Sequence, residues 1–170
     1  MESQKITLFH YWRSSSSWRV RWALAIKGVS YECQHINLLQ AEHQQEEYLK
    51  LNPTGFVPCL QVGKRYFSES FAMLEWLEET YPQNSILPKD PFAKMHVRGL
   101  AQIIVAGVQP LQNLKAQRFF SSNKDIQHEY ARFWIDKGFS AYEKLAKNYA
   151  QEFSFSFSPT IADLCLIPQV

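Results

Sequence analysis

The sequence predicts a small α/β domain followed by an all-helical domain. Three observations predict it. Strand and helix patterns alternate over residues 1–81. A stretch with three prolines and few apolar residues, 82–91 with Tyr81 before it (YPQNSILPKDP), then reads as a linker. Every strong apolar pattern in residues 92–170 has helical period.

Within the first domain, residues 5–10 (KITLFH) read as a short strand. A helix over 16–27 places Trp18, Trp22 and Ile26 on one face, with Val20 and Leu24 beside it. Gly28 stands where a helix end favours a left-handed residue. Residues 31–38 suit a second strand and 44–51 a short polar helix. The turn signal Asn52-Pro53-Thr54-Gly55 follows. Residues 57–62 and 65–67 flank Gly63-Lys64 as a hairpin. Phe71, Leu74, Leu77 and Tyr81 then keep the period of an amphipathic helix. A strand–helix–strand start favours a parallel pair with a right-handed crossover, to which the hairpin adds antiparallel strands.

In the helical domain, Val97, Leu100, Ile104, Val108, Leu111 and Leu114 form one long apolar stripe, with Pro110 expected to bend it. Ile135, Gly138, Tyr142, Leu145 and Tyr149 form another. Residues 153–158 alternate aromatic and serine, but six isolated residues among helices are expected to be loop. Thr160-Ile161-Ala162-Asp163 resembles a capping box that opens a further helix.

Composition narrows the function. The chain has 170 residues, 46% of them hydrophobic, enough for a sizeable core. The net charge of +2 is interleaved, so no basic stripe speaks for nucleic acid. The longest apolar runs are too short to cross a bilayer, and no charged start with an apolar stretch suggests secretion. Cys33, Cys59 and Cys165 form no CxxC pair and no zinc set, so no metal is expected. Buried, reduced thiols in a cytosolic protein are the expectation.

Three places have the residue types of a binding site. Ser14-Ser15-Ser16-Ser17 precede an arginine-bearing helix. One serine suffices as a cap, and a helix start with spare hydroxyls suits an anion. Val57-Pro58 opens a strand candidate. A proline there donates nothing to a ladder, marks an edge, and is a candidate for a cis bond. Glu69-Ser70 stand at the start of the last helix of the domain.

The stretches SSSSWRVRWALAIKG, NPTGFVPCL and FSESFAMLEWLEETYP resemble the glutathione transferase pattern in order and spacing. The first is closest to the zeta class, whose hallmark is Ser-Ser-Cys-x-Trp-Arg-Val-Arg. QPLQNL and ADLCLIPQV are similar to that class as well, so the resemblance spans nearly the whole chain. It implies a thioredoxin-like domain joined to a helical domain, paired as a homodimer, with glutathione as cofactor. Zeta-class proteins are maleylacetoacetate isomerases of tyrosine breakdown, and close bacterial relatives isomerise maleylpyruvate. The implied activity is therefore cis–trans isomerisation of a maleyl-type oxo acid. The alternatives are a general glutathione transferase or peroxidase, and a non-catalytic glutathione-binding interaction protein.

The resemblance also assigns roles. Ser14 would donate to the glutathione sulfur, with Ser15, Ser16 and Ser17 lining the same helix start. Val57, before Pro58, would pair with the cysteinyl part. Glu69 and Ser70 would hold the γ-glutamyl end, and Gln45 would reach the glycyl side. Gln109 and Asn113 would face the acidic substrate, with positive charge from Arg13 and Arg19. The chemistry agrees, because a free thiol titrates near ~8.5 and both a helix N-terminus and a hydroxyl donor favour its charged form. Ser16 stands where the class has cysteine, which removes any covalent or redox role for that side chain. Zeta-class chains also continue past Val170, so a truncated product, or the ordered part of something longer, is expected.

Overall fold

The computed structural model describes residues 5–170 and divides into two compact units between Ser85 and Ile86. That point lies inside the expected linker. Ile86 and Leu87 are buried, so this stretch also adds to a core.

The first unit is built on a four-stranded sheet of order β2-β1-β3-β4. Strand β1 (Ile6–His10) leads to helix α1 (Ser15–Lys27) and then to β2 (Glu32–His35), which pairs parallel with β1. A short helix α2 (Glu46–Leu51) precedes β3 (Cys59–Val62) and β4 (Arg65–Phe67), both in antiparallel ladders. Helix α3 (Ser70–Thr80) closes the unit. This is the thioredoxin-like order that the sequence predicts.

Several details depart from the sequence reading. Pro58 does not mark an edge: β3 lies between β1 and β4, and Pro58 sits one residue before its first ladder residue. Strands β2 and β4 are the edges; all four residues of β2 are exposed, and Cys33 is therefore an exposed thiol rather than a buried one. Helix α1 buries Val20, Ala23 and Leu24 instead of its tryptophan face, leaving Trp18 46% exposed. That face also buries Arg19 and Lys27, which periodicity assigns to solvent. Lys27 Nζ is neutralised by Glu78 and donates to the Gln83 carbonyl at 3.3 Å. Gly28 ends the helix in the left-handed region at φ 64°, its N–H donating back to Leu24 and Ala25.

The second unit is helical: α4 (Pro91–Gln102), a π-helical segment (Ile103–Val108), α5 (Gln109–Gln112), α6 (Leu114–Phe120), α7 (Lys124–Ala146) and α8 (Ile161–Leu166). The disturbance expected at Pro110 falls one turn earlier. Gln109 N–H donates to the Ile104 carbonyl, a five-residue step. Proline has no N–H and its ring crowds the carbonyl four residues back, so the helix widens there. Val97, Leu100, Ile104 and Val108 are buried as the stripe requires, but the helix breaks at Asn113 and Leu114 is 60% exposed. In α7 the buried residues are Ala131, Tyr142 and Ala146, whereas Leu145 is exposed; Tyr149 lies past the helix end and stacks on Phe155. Residues 153–158 have no regular structure.

Candidate active site

Register brings the three sequence-derived stretches to one end of the sheet. Phe9 lies opposite Cys59 in the β1–β3 ladder, and Leu60 opposite Phe67 in the β3–β4 ladder. The end of β1, the start of β3 and the end of β4 therefore share one border. Residues 11–14, 57–58 and 68–70 leave or enter the sheet there, and α1 and α3 both begin beside it.

Ser14 is the cap of α1. Its Oγ accepts from the Ser17 N–H at 3.2 Å, and its carbonyl accepts from the Trp18 N–H at 2.9 Å. A hydroxyl has one donor hydrogen and two lone pairs. The cap takes a lone pair, fixes Oγ, and leaves the O–H to donate outward. Ser15 and Ser16 occupy the first turn, half-buried. Ser17 turns inward, fully buried, and its Oγ accepts from the Tyr11 N–H at 3.5 Å. The serine run thus divides between cap, half-buried first turn and interior.

The Val57–Pro58 bond is cis, and both residues are buried. The preceding turn is braced from α2. Tyr48 Oη and Asn52 Nδ2 both donate to the Phe56 carbonyl, at 2.6 and 2.8 Å, and Gln44 Nε2 donates to the Gly55 carbonyl at 3.0 Å. Burial pushes the Tyr48 phenol up to about 12 and the Cys59 thiol up to about 11, so both stay protonated near neutrality.

Glu69 caps α3 with φ 68° and ψ 100°, a conformation that a residue with a side chain rarely adopts. Its side chain makes no cap hydrogen bond and is exposed. Backbone strain of this kind collects at ligand clamps and costs on the order of 1–3 kcal/mol. Ser70 is buried and accepts from Arg19 Nη1 at 3.0 Å. This corrects the reading of Arg19 as a substrate ligand. At 0% exposure its guanidinium is an internal strut between α1 and α3.

Arg13 is exposed, with its guanidinium over the Trp12 ring at 5.6 Å. Gln45 is exposed at the cap of α2. Gln109 and Asn113 belong to the second unit, one half-buried and the other exposed. Asn113 Oδ1 accepts from the Lys115 N–H at 2.9 Å as the cap of α6. Arg21 and Tyr48 were not singled out by the sequence reading, and Asn52 was read only as a turn residue. Arg21 stands in the WRVR run, but nothing local marks Tyr48, whose partner Phe56 lies beyond its own helix.

An exposed carboxylate on a strained backbone, a hydroxyl cap at a helix start and a cis-proline turn are gathered at one sheet border of a thioredoxin-like unit. The family described as "Glutathione S-transferase, N-terminal domain" matches residues 4–79. The maleylacetoacetate isomerase of Dictyostelium discoideum is 42% identical over 175 residues, covering 100% of this chain and 80% of that protein. A holo structure of a bacterial zeta-class maleyl pyruvate isomerase superposes with a TM-score of 0.91 at 36% identity, covering 96% of this chain and 80% of that one. The glutathione-bound maleylacetoacetate isomerase of Anaeromyxobacter dehalogenans superposes at 0.86 with 39% identity, covering 99% and 81%. The chain belongs to the zeta class of the glutathione transferases, the maleylacetoacetate isomerase family.

Proposed function

We propose that this protein is a glutathione-dependent cis–trans isomerase of a maleyl-substituted oxo acid, with maleylacetoacetate as the substrate. The observation that carries this reading is the state of Ser14, whose lone pair is used by the cap while its one hydrogen stays available. When bound, glutathione supplies a thiol nucleophile whose reversible addition to a conjugated cis double bond lets that bond rotate. The Ser14 hydroxyl donates to the sulfur, and the N-terminus of α1 favours negative charge there. Glu69 and Ser70 hold the γ-glutamyl end, Val57 presents its backbone to the cysteinyl part, and Gln45 meets the glycyl end. Gln109, Asn113 and Arg13 bind the acidic substrate. Ser15 and Ser16 line the helix start as hydroxyl donors.

The reading extends, by family likeness, to a cytosolic homodimer working in tyrosine and phenylalanine breakdown. Ser14→Ala tests its centre. One hydrogen bond to a charged acceptor is worth roughly 1.5–3 kcal/mol, so the thiol pKa of bound glutathione should rise by about one to two units. An unchanged thiolate absorbance titration removes Ser14 from the mechanism. Ser16→Cys should leave turnover nearly unchanged. A hundredfold gain, about 2.7 kcal/mol, would favour the non-catalytic glutathione-binding alternative for the natural chain.

A further inference from the structure

We infer that Arg21 is a positioning residue for the Ser14 hydroxyl, holding the β1–α1 connection by its carbonyls; the inference rests on the role proposed for Ser14. Arg21 lies two turns into α1, and its side chain reaches back over the connection, the direction that helical side chains favour. Its Nη2 donates to the Trp12 carbonyl at 3.1 Å and its Nη1 to the Tyr11 carbonyl at 3.4 Å. The Tyr11 carbonyl is also the acceptor of the Ser14 N–H at 3.1 Å. One oxygen therefore joins the guanidinium directly to the backbone of the cap residue.

Packing alone does not anchor this segment. Trp12 is 64% exposed and Arg13 is exposed, so hydrogen bonds hold the middle of the loop. The inner end is set by His10, which is buried and lies 2.9 Å from Arg21 Nη1 through Nδ1. A guanidinium only donates, so Nδ1 accepts and the His10 proton sits on Nε2. Burial first, then Arg21 and the neighbouring His35, lower the His10 pKa to about 4, which keeps it an acceptor at neutral pH. The planar fork thus spans three acceptors along residues 10–12. A lysine ammonium cannot reproduce that geometry.

The test is a cycle of Ser14→Ala, Arg21→Met and the double variant, read by the thiol titration of bound glutathione. Arg21→Met should cut the bound thiolate at pH 7 about tenfold, and the double variant should titrate like Ser14→Ala alone, because Arg21 acts only through Ser14. Arg21→Lys, the milder variant should Arg21→Met fail to fold, should fall between wild type and Arg21→Met. If Ser14→Ala shifts the titration and Arg21→Met does not, the inference fails while the Ser14 reading stands. If Ser14→Ala shifts nothing, both fail. Additive shifts, or an Arg21→Lys protein that titrates like wild type, show that charge and not the fork is at work, and overturn the inference. So does a lowered melting temperature with an unchanged titration.

Discussion

Charged and titratable side chains in the first unit are placed by partners that lie far along the chain. Arg19 meets Ser70 and Lys27 meets Glu78, each 51 residues away, so helical periodicity alone assigns both to water. His10 shows the consequence for stability. Its pKa is about 4 in the fold against an ordinary 6.5, from burial and from Arg21 and His35. Between those values the unfolded chain binds a proton that the native one refuses. Its contribution is therefore complete above about pH 6.5, falls as pH drops toward 4, and levels off below. Urea midpoints should decline from pH 7 to pH 5. His10→Asn, which keeps an acceptor for Arg21 but does not titrate, should flatten that decline. An equal slope in both proteins would remove His10 from the acid response.

At the scale of elements, a close approach and a capping box each stabilise the second unit. A Cβ on Gly138 would lie 2.1 Å from Val108 Cγ2, so α7 meets the π-helical segment where only glycine fits. Gly138→Ala should cost about 1–3 kcal/mol by overpacking, and adding Val108→Ala should recover part of that loss. Strictly additive denaturation energies would show that the two do not touch. The cap lies at α8, where Asp163 accepts from the Thr160 N–H at 2.7 Å, the Thr160 hydroxyl at 2.9 Å and the Ser154 N–H at 2.8 Å. Asp163→Ala leaves the two Thr160 donors buried without their partner and should cost about 1–3 kcal/mol for an unsatisfied group, with a matching drop in thermal midpoint. The box was legible in Thr160-Ile161-Ala162-Asp163. The bond to Ser154 was not, because it comes from an irregular segment whose path no local pattern describes.

For the whole molecule, the proposed chemistry needs a free thiol on the bound peptide. Turnover should vanish without glutathione and return when it is added. S-Methylglutathione should bind and inhibit without supporting turnover, and isomerisation in its presence alone would refute the proposal. The element order, a serine cap before α1 and the candidate cis bond at Val57-Pro58 were readable in the chain, since each rests on neighbours in sequence: periodicity, caps and turn residues. Tertiary structure decided that β3 is interior and that β2 and β4 are the edges, because ladder order is set by pairing between distant segments. It also decided that Arg19 is a strut and Arg21 a clamp, though both stand in one run of four residues, WRVR. Two positions along a helix turn a side chain through about 200°, and what waits on each side belongs to another element.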